Sequence, residues 1–187
     1  NAIRAYTDEK DAVIIQQPVY YPFSNIIRQN GRELVSSDLI YDGEGHYSID
    51  FDDFEKNSYL LTGKVLDRAK HVIYECDRVN KAVDYMKKGD LVSLGKVLNE
   101  SHKSLKELYE VTGKELDTLA KYAQNFIGCL GSRMTGAGFG GCTISIVRKD
   151  KIDEFEKYVG ENYEKEIGYN CSFYIAEIAD GIVIEKI

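Results

Sequence analysis

Residues 131–142 read GSRMTGAGFGGC, and five of the chain's sixteen glycines fall between Gly131 and Gly141. Glycine at this density marks backbone that other residues avoid. Gly136, Gly138, Gly140 and Gly141 are free to take positive φ and leave the main chain open to a phosphate or a neighbouring loop. A multiply bulged turn entering a strand would use the same glycines. What flanks the segment decides the fold. Ahead of it, Thr112 and Glu115 have the spacing of a capping box, and Leu116, Leu119, Ala123, Phe126 and Ile127 form the inward face of a helix. Behind it, Thr143 to Val147 (TISIV) reads as a strand. The order is helix, loop, strand, and no GK[ST] follows the glycines, so the segment is not a Walker A loop.

Further upstream, Leu61, Val65, Ala69, Val72, Ile73, Cys76, Val79, Val83 and Met86 recur in steps of three and four, the signature of one long amphipathic helix. Gly89 stops it. Asp90 caps a second helix carrying Leu91, Leu94, Leu98, Leu105 and Leu108, with a possible break near Ser101. Downstream of TISIV, Asp150 is expected to cap a helix that Gly168 ends, and Ser172 to Ile178 to form another strand. Asp180-Gly181 then reads as a two-residue hairpin turn into 182–187. The predicted fold class is α+β, with helices packed on a mainly antiparallel sheet.

The first 57 residues differ in character. They hold 5 Lys/Arg against 11 Asp/Glu, where residues 58–187 hold 19 against 20, and they contain both prolines, Pro18 and Pro22. The shift places a boundary near Asn57. Ala12 to Gln16 is a buried strand, QPVYYPF an extended turn, and Ser24 the cap of a short helix ending at Gly31. Glu33 to Ile40 is a second strand, and Asp50 caps a helix with Asp52 and Asp53 in its first turn. This strand, helix, strand, helix run is an αβ appendage of the kind that belongs to a parallel sheet.

Composition narrows the partners. A net charge of −7 repels nucleic acid and anionic membrane at long range. Cys76, Cys129, Cys142 and Cys171 stand apart with no CxxC spacing and no long apolar run precedes them, so the expectation is a reduced, cytoplasmic setting with each cysteine as a small buried apolar residue.

The segment GSRMTGAGFGGCTISIV resembles the third signature motif of galactokinases, of the GHMP kinase superfamily, nearly residue for residue. RAKHVIYECDRV (68–79), KKGDLVSLGKVLNESHKSL (87–105) and ELDTLAKYAQ (115–124) are similar to the same family in order and spacing. The resemblance covers about 59–187. It implies a GHMP kinase C-terminal, ferredoxin-like domain over 58–187. It also implies a parent that transfers the γ-phosphoryl group of Mg-ATP to galactose. Gly136, Ala137, Gly138, Phe139, Gly140 and Gly141 would then line the ATP side of the cleft. The family's sugar-binding motif, its PxGxGLSSSA phosphate loop, and its catalytic aspartate and arginine have no counterpart in residues 1–187, so no catalytic or metal-binding residue is assigned. The chain is expected to be truncated relative to that family and inactive alone. Loss of the missing half is expected to expose apolar surface open to self-association.

Residues 2–56, AIRAYTDEK through DFDDFEK, resemble an internal piece of a fold-type I PLP enzyme of the cystathionine β-lyase (MalY/PatB-like) aminotransferase family. There the tyrosine of the PxY segment, here Tyr20, stacks on the cofactor ring. The Schiff-base lysine and the aspartate that pairs with the pyridinium nitrogen are absent, so PLP is not expected to bind. Tyr20 and Tyr21 are expected to pack as ordinary aromatics. The sequence as a whole then reads as a hybrid, with 1–57 from one family and 58–187 from the other.

Other candidates have simpler explanations. Ser101-His102 invites a nucleophile and base reading, but adjacent residues on a helix diverge. His46 falls in a polar turn and His71 on a helix, so neither makes a metal pair. Asp50 to Glu55 is a helix start. Arg133 is placed to reach an anion near the loop or a surface carboxylate.

Overall fold

A computed structural model describes residues 2–176 of the chain, and these divide into two units after Val111. The first opens with α1 (Ala2–Tyr6), followed by β1 (Ala12–Ile15), α2 (Pro22–Gln29) and β2 (Glu33–Ser36). β1 and β2 pair in parallel, Ala12 opposite Glu33 through Ile15 opposite Ser36, so the αβ unit expected from the sequence is present. Its helix starts earlier than Ser24. Pro22 sits at the first helical position behind Tyr21, where a missing N–H costs nothing and its fixed φ suits the helix. QPVYYPF is therefore non-helical through Tyr21 and helical only at Pro22 and Phe23.

The single strand expected at 33–40 is two. It breaks at Ser37-Asp38, where Ser37 is fully buried and the Ser36 hydroxyl turns to the Asp38 carboxylate. The chain resumes as β3 (Leu39–Tyr41), which pairs antiparallel with β4 (Tyr47–Ile49), a hairpin the sequence did not announce. Asp42 closes its turn by accepting from the Glu44 and His46 amides at 2.7 and 3.1 Å and meeting His46 Nδ1 at 2.9 Å. These bonds hold the Asp42 carboxyl below the usual range. His46 thus lies in the polar turn expected for it.

α3 (Phe51–Asn57) begins as predicted, with Asp50 accepting from the Asp53 amide at 2.8 Å. A 3-10 turn (Ser58–Leu60) leads to α4 (Gly63–Lys88), ended by Gly89 at φ 68°. Residues from both sides of Asn57 share one core: Phe54, Leu61 and Ile73 are buried together, with Ile14, Phe51, Leu66 and Tyr74 packed against them. The Phe51 and Tyr74 rings stack at 5.4 Å. The Tyr74 hydroxyl donates to Glu55, and that bond, with burial, pushes its pKa up to about 12. Ala69 of the predicted α4 face also packs on that core, but Val65, Val72, Val79, Val83 and Met86 are exposed.

α5 (Leu91–Ser104) is capped by Asp90, whose carboxylate accepts from the Ser93 amide at 3.0 Å. It runs unbroken past Ser101 and then widens into a π-helical turn (Leu105–Tyr109). α4 grips that turn. Arg68 donates to the Leu108 carbonyl and, at 2.8 Å, to Glu110, while His71 stacks on Tyr109 at 4.6 Å and meets Ser104 Oγ at 2.8 Å.

The second unit holds α6 (Lys114–Asn125), β5 (Cys129–Thr135), β6 (Cys142–Val147), a 3-10 turn (Lys149–Lys151) and α7 (Ile152–Ile167). Two predicted caps are displaced. Gly113, at φ 83°, holds the N-cap of α6 in place of Thr112, which is buried. Asp150 lies in the 3-10 turn, paired with Arg148 at 2.7 Å, and Lys151 precedes α7. Ile127 is 88% exposed rather than inward, because α6 has ended at Asn125.

Ala123, Phe155 and Val159 form the core between α6 and α7, joined by Phe126, Cys129, Val147 and Tyr158. Glu166 of α7 ties the two helices further, accepting from Lys121 at 2.9 Å and the Tyr122 hydroxyl at 2.8 Å. α7 ends at Gly168, φ 97°, as expected. Ser172 to Ala176 is not a strand in the structure. The remainder of that predicted strand and the Asp180-Gly181 hairpin lie outside the described residues. Among the described residues the architecture is α+β, with two of the three strand pairs antiparallel.

Candidate functional site

The glycine-rich segment is not a loop between a helix and a strand. Its first half is strand β5, so the order is helix, strand, loop, strand, and the loop proper is Gly136 to Gly141, closing a hairpin in which Thr135 faces Cys142 and Met134 faces Thr143. The sequence hid β5 because Gly131 and Ser132 are poor strand formers taken alone. Here they are chosen for size. Gly131, Ser132 and Met134 are buried in a strand that packs on α6. The Ser132 carbonyl accepts from Gln124 Nε2 of α6 at 2.8 Å, and its hydroxyl accepts from Ser145 of β6, also at 2.8 Å. A bulge between Cys129 and Gly131 bends the strand's start, and burial there pushes the Cys129 thiol up.

Five of the six loop residues have positive φ: Gly136 at 85°, Gly138 at 88°, Phe139 at 58°, Gly140 at 120° and Gly141 at 103°. The four glycines therefore occupy the conformation expected of them. The main chain beside three of them is also clear of other protein atoms. A Cβ built at Gly136, Gly140 or Gly141 meets nothing within 4 Å. At these three positions a side chain would be opposed by φ and not by a neighbouring atom.

Phe139 takes left-handed backbone without being glycine and is 80% exposed. Holding a bulky residue there costs about 1–3 kcal/mol, a cost typical of functional loops. Gly136 to Gly141 contains no titratable side chain. Such a loop can offer main-chain N–H groups and an aromatic face, but no acid, base or nucleophile. The nearest cation in sequence, Arg133 on β5, is half-buried and donates through Nε to the Met134 carbonyl at 2.9 Å.

Tyr20 is placed elsewhere, in the first unit just ahead of α2. It is 64% exposed, with its ring 5.5 Å from Tyr21 and 5.6 Å from Phe23. Neither tyrosine packs into a core; Tyr21 is 76% exposed. Ser101 is not aimed at His102; its hydroxyl donates to Glu75 of α4 at 2.5 Å, and Glu75 also receives Arg78 at 2.7 Å. Cys76 and Cys142 are exposed, against the expectation of burial. Among the described residues no group of three His, Cys, Asp or Glu is arranged to hold a metal ion, and no helix is long and apolar enough to cross a membrane.

The loop lies within residues 81–165, which match the family model of the GHMP kinases C terminal. The GHMP relationship extends to individual galactokinases. The chain is similar to galactokinase from Limosilactobacillus reuteri, 52% identical over 134 residues, which is 71% of this chain and 34% of that one. It is also similar to galactokinase from Staphylococcus carnosus, 48% identical over 160 residues, 85% of this chain and 41% of that one. A match of 160 residues does not fit within 58–187, so it reaches into the first 57.

Among solved structures, Lactococcus lactis galactokinase complexed with galactose is 48% identical, with a TM-score of 0.67 over 70% of this chain and 34% of that one. The chain thus spans about a third of the length of the galactokinases it matches. Cystalysin from Treponema denticola, which contains a pyridoxal 5'-phosphate cofactor, is 42% identical over 30% of this chain, with a TM-score of 0.29 that carries no argument about the fold.

Proposed function

We propose that this chain is the C-terminal third of a galactokinase-type sugar kinase, and that Gly136 to Gly141 supply one wall of its ATP-side site. The observation that supports this best is the hairpin loop, with five positive-φ residues and open space, lying inside the GHMP kinase C-terminal match. Galactose and Mg-ATP are the substrates this reading carries, and a cytoplasmic setting goes with it. ATP and Mg²⁺ would bring the transferable phosphoryl group and the cation that neutralises it. What the chain itself would contribute is the main chain of the positive-φ loop and the exposed Phe139 ring. Nothing in the loop moves a proton or bears a charge, and no described carboxylate cluster fits Mg²⁺. We therefore propose that residues 1–187 alone do not phosphorylate galactose.

The test has two arms. With galactose and Mg-ATP, the chain alone is expected to release no ADP above a no-enzyme blank; galactose-dependent release overturns the inactivity. Mixed with a Lactococcus lactis galactokinase lacking the matched third, it is expected to restore galactose-dependent ADP release. Failure of that arm, with both proteins folded by circular dichroism, counts against the kinase reading.

A second reading, a non-catalytic domain that associates through apolar surface, is favoured by the exposed valines and Met86 of α4. A monomer by light scattering that binds no apolar dye excludes it. For residues 1–57 we propose an origin distinct from 58–187, on the contrast in charge and proline content. The length of the Staphylococcus carnosus match weighs for a galactokinase origin instead. Genomic DNA read on both sides of the coding segment separates the two: flanks from two different parent genes support the distinct origin, and flanks from one galactokinase gene overturn it. We attach no PLP to Tyr20, whose ring lies against Tyr21 and Phe23.

A further inference from the structure

We draw no further inference here: the strongest candidate, the exposed apolar stripe of Val65, Val72, Val79, Val83 and Met86 along α4, belongs to the association reading already given, and nothing in the structure shows what covers it.

Discussion

The parallel pair β1–β2 and the hairpin β5–β6 are both two-stranded, yet they solve the burial of a small sheet in different ways. β1 is half-buried along its whole length, its Ile14 packs on a cluster completed from α3 and α4, and its following turn leaves Tyr20 and Tyr21 exposed. β5 is covered locally, by α6 just ahead of it in sequence, with Ser132 and Met134 fully buried. A sheet of two strands is marginal in water until a helix covers one face. The hairpin obtains that helix from its immediate neighbour; β1–β2 has α2 packed on β2, and through Ile14 it draws in addition on residues up to Ile73, well beyond Asn57. A composition boundary is thus not a packing boundary.

The strongest way to break this contrast is Phe54→Ala. Phe54 is fully buried at the point where the two stretches meet, so its loss is expected to cost about 3–5 kcal/mol. Amide exchange should accelerate in both α3 and α4. Acceleration confined to residues before Asn57 would show that the two stretches fold separately. A smaller effect is expected at the loop. Gly140→Ala forces a Cβ onto φ 120° with no steric clash, so denaturant melts should show about 1–3 kcal/mol from backbone strain alone. A neutral result would mean the loop relaxes, and that its glycines answer to a ligand instead.

Asp50→Ala removes the cap of α3 and is expected to cost about 1 kcal/mol by the same melts. Val79→Lys should change stability by under about 0.5 kcal/mol, because the side chain is exposed, while lowering apolar dye binding. A large loss of stability would show that the α4 stripe is buried in solution.

The Glu166 clamp gives the smallest effect. Bonds from Lys121 and Tyr122 depress the Glu166 pKa below its ordinary 4.5. The stabilisation is therefore present above the unfolded pKa and is lost as pH falls through the folded one, below about 4.5. The exposed pair is also screened by salt. Glu166→Gln should flatten that acid limb of the melting curve, and an unchanged limb would mean the clamp is open in solution.

Much of this was readable before any coordinates. Asp50, Gly89, Asp90 and Gly168 each punctuate a helix where local chemistry places them, because caps act within one turn. Tertiary context overruled the weaker signals. Thr112-x-x-Glu115 has capping-box spacing, but Thr112 is buried and Gly113 takes the turn. Ser132 reads as loop, but a partner in Gln124 and another in Ser145 make it strand.

The glycine segment divides along the same line. From sequence alone, Gly136, Gly138, Gly140 and Gly141 were free to take positive φ, since that freedom is a property of one residue and its immediate chain, and the motif they form carried the family resemblance. Only the tertiary structure decided that Gly131 to Thr135 is a strand, that the loop is six residues long, and that the space beside it is open. Those depend on what packs against the chain, and α6, β6 and the solvent supply that from positions the segment itself does not encode.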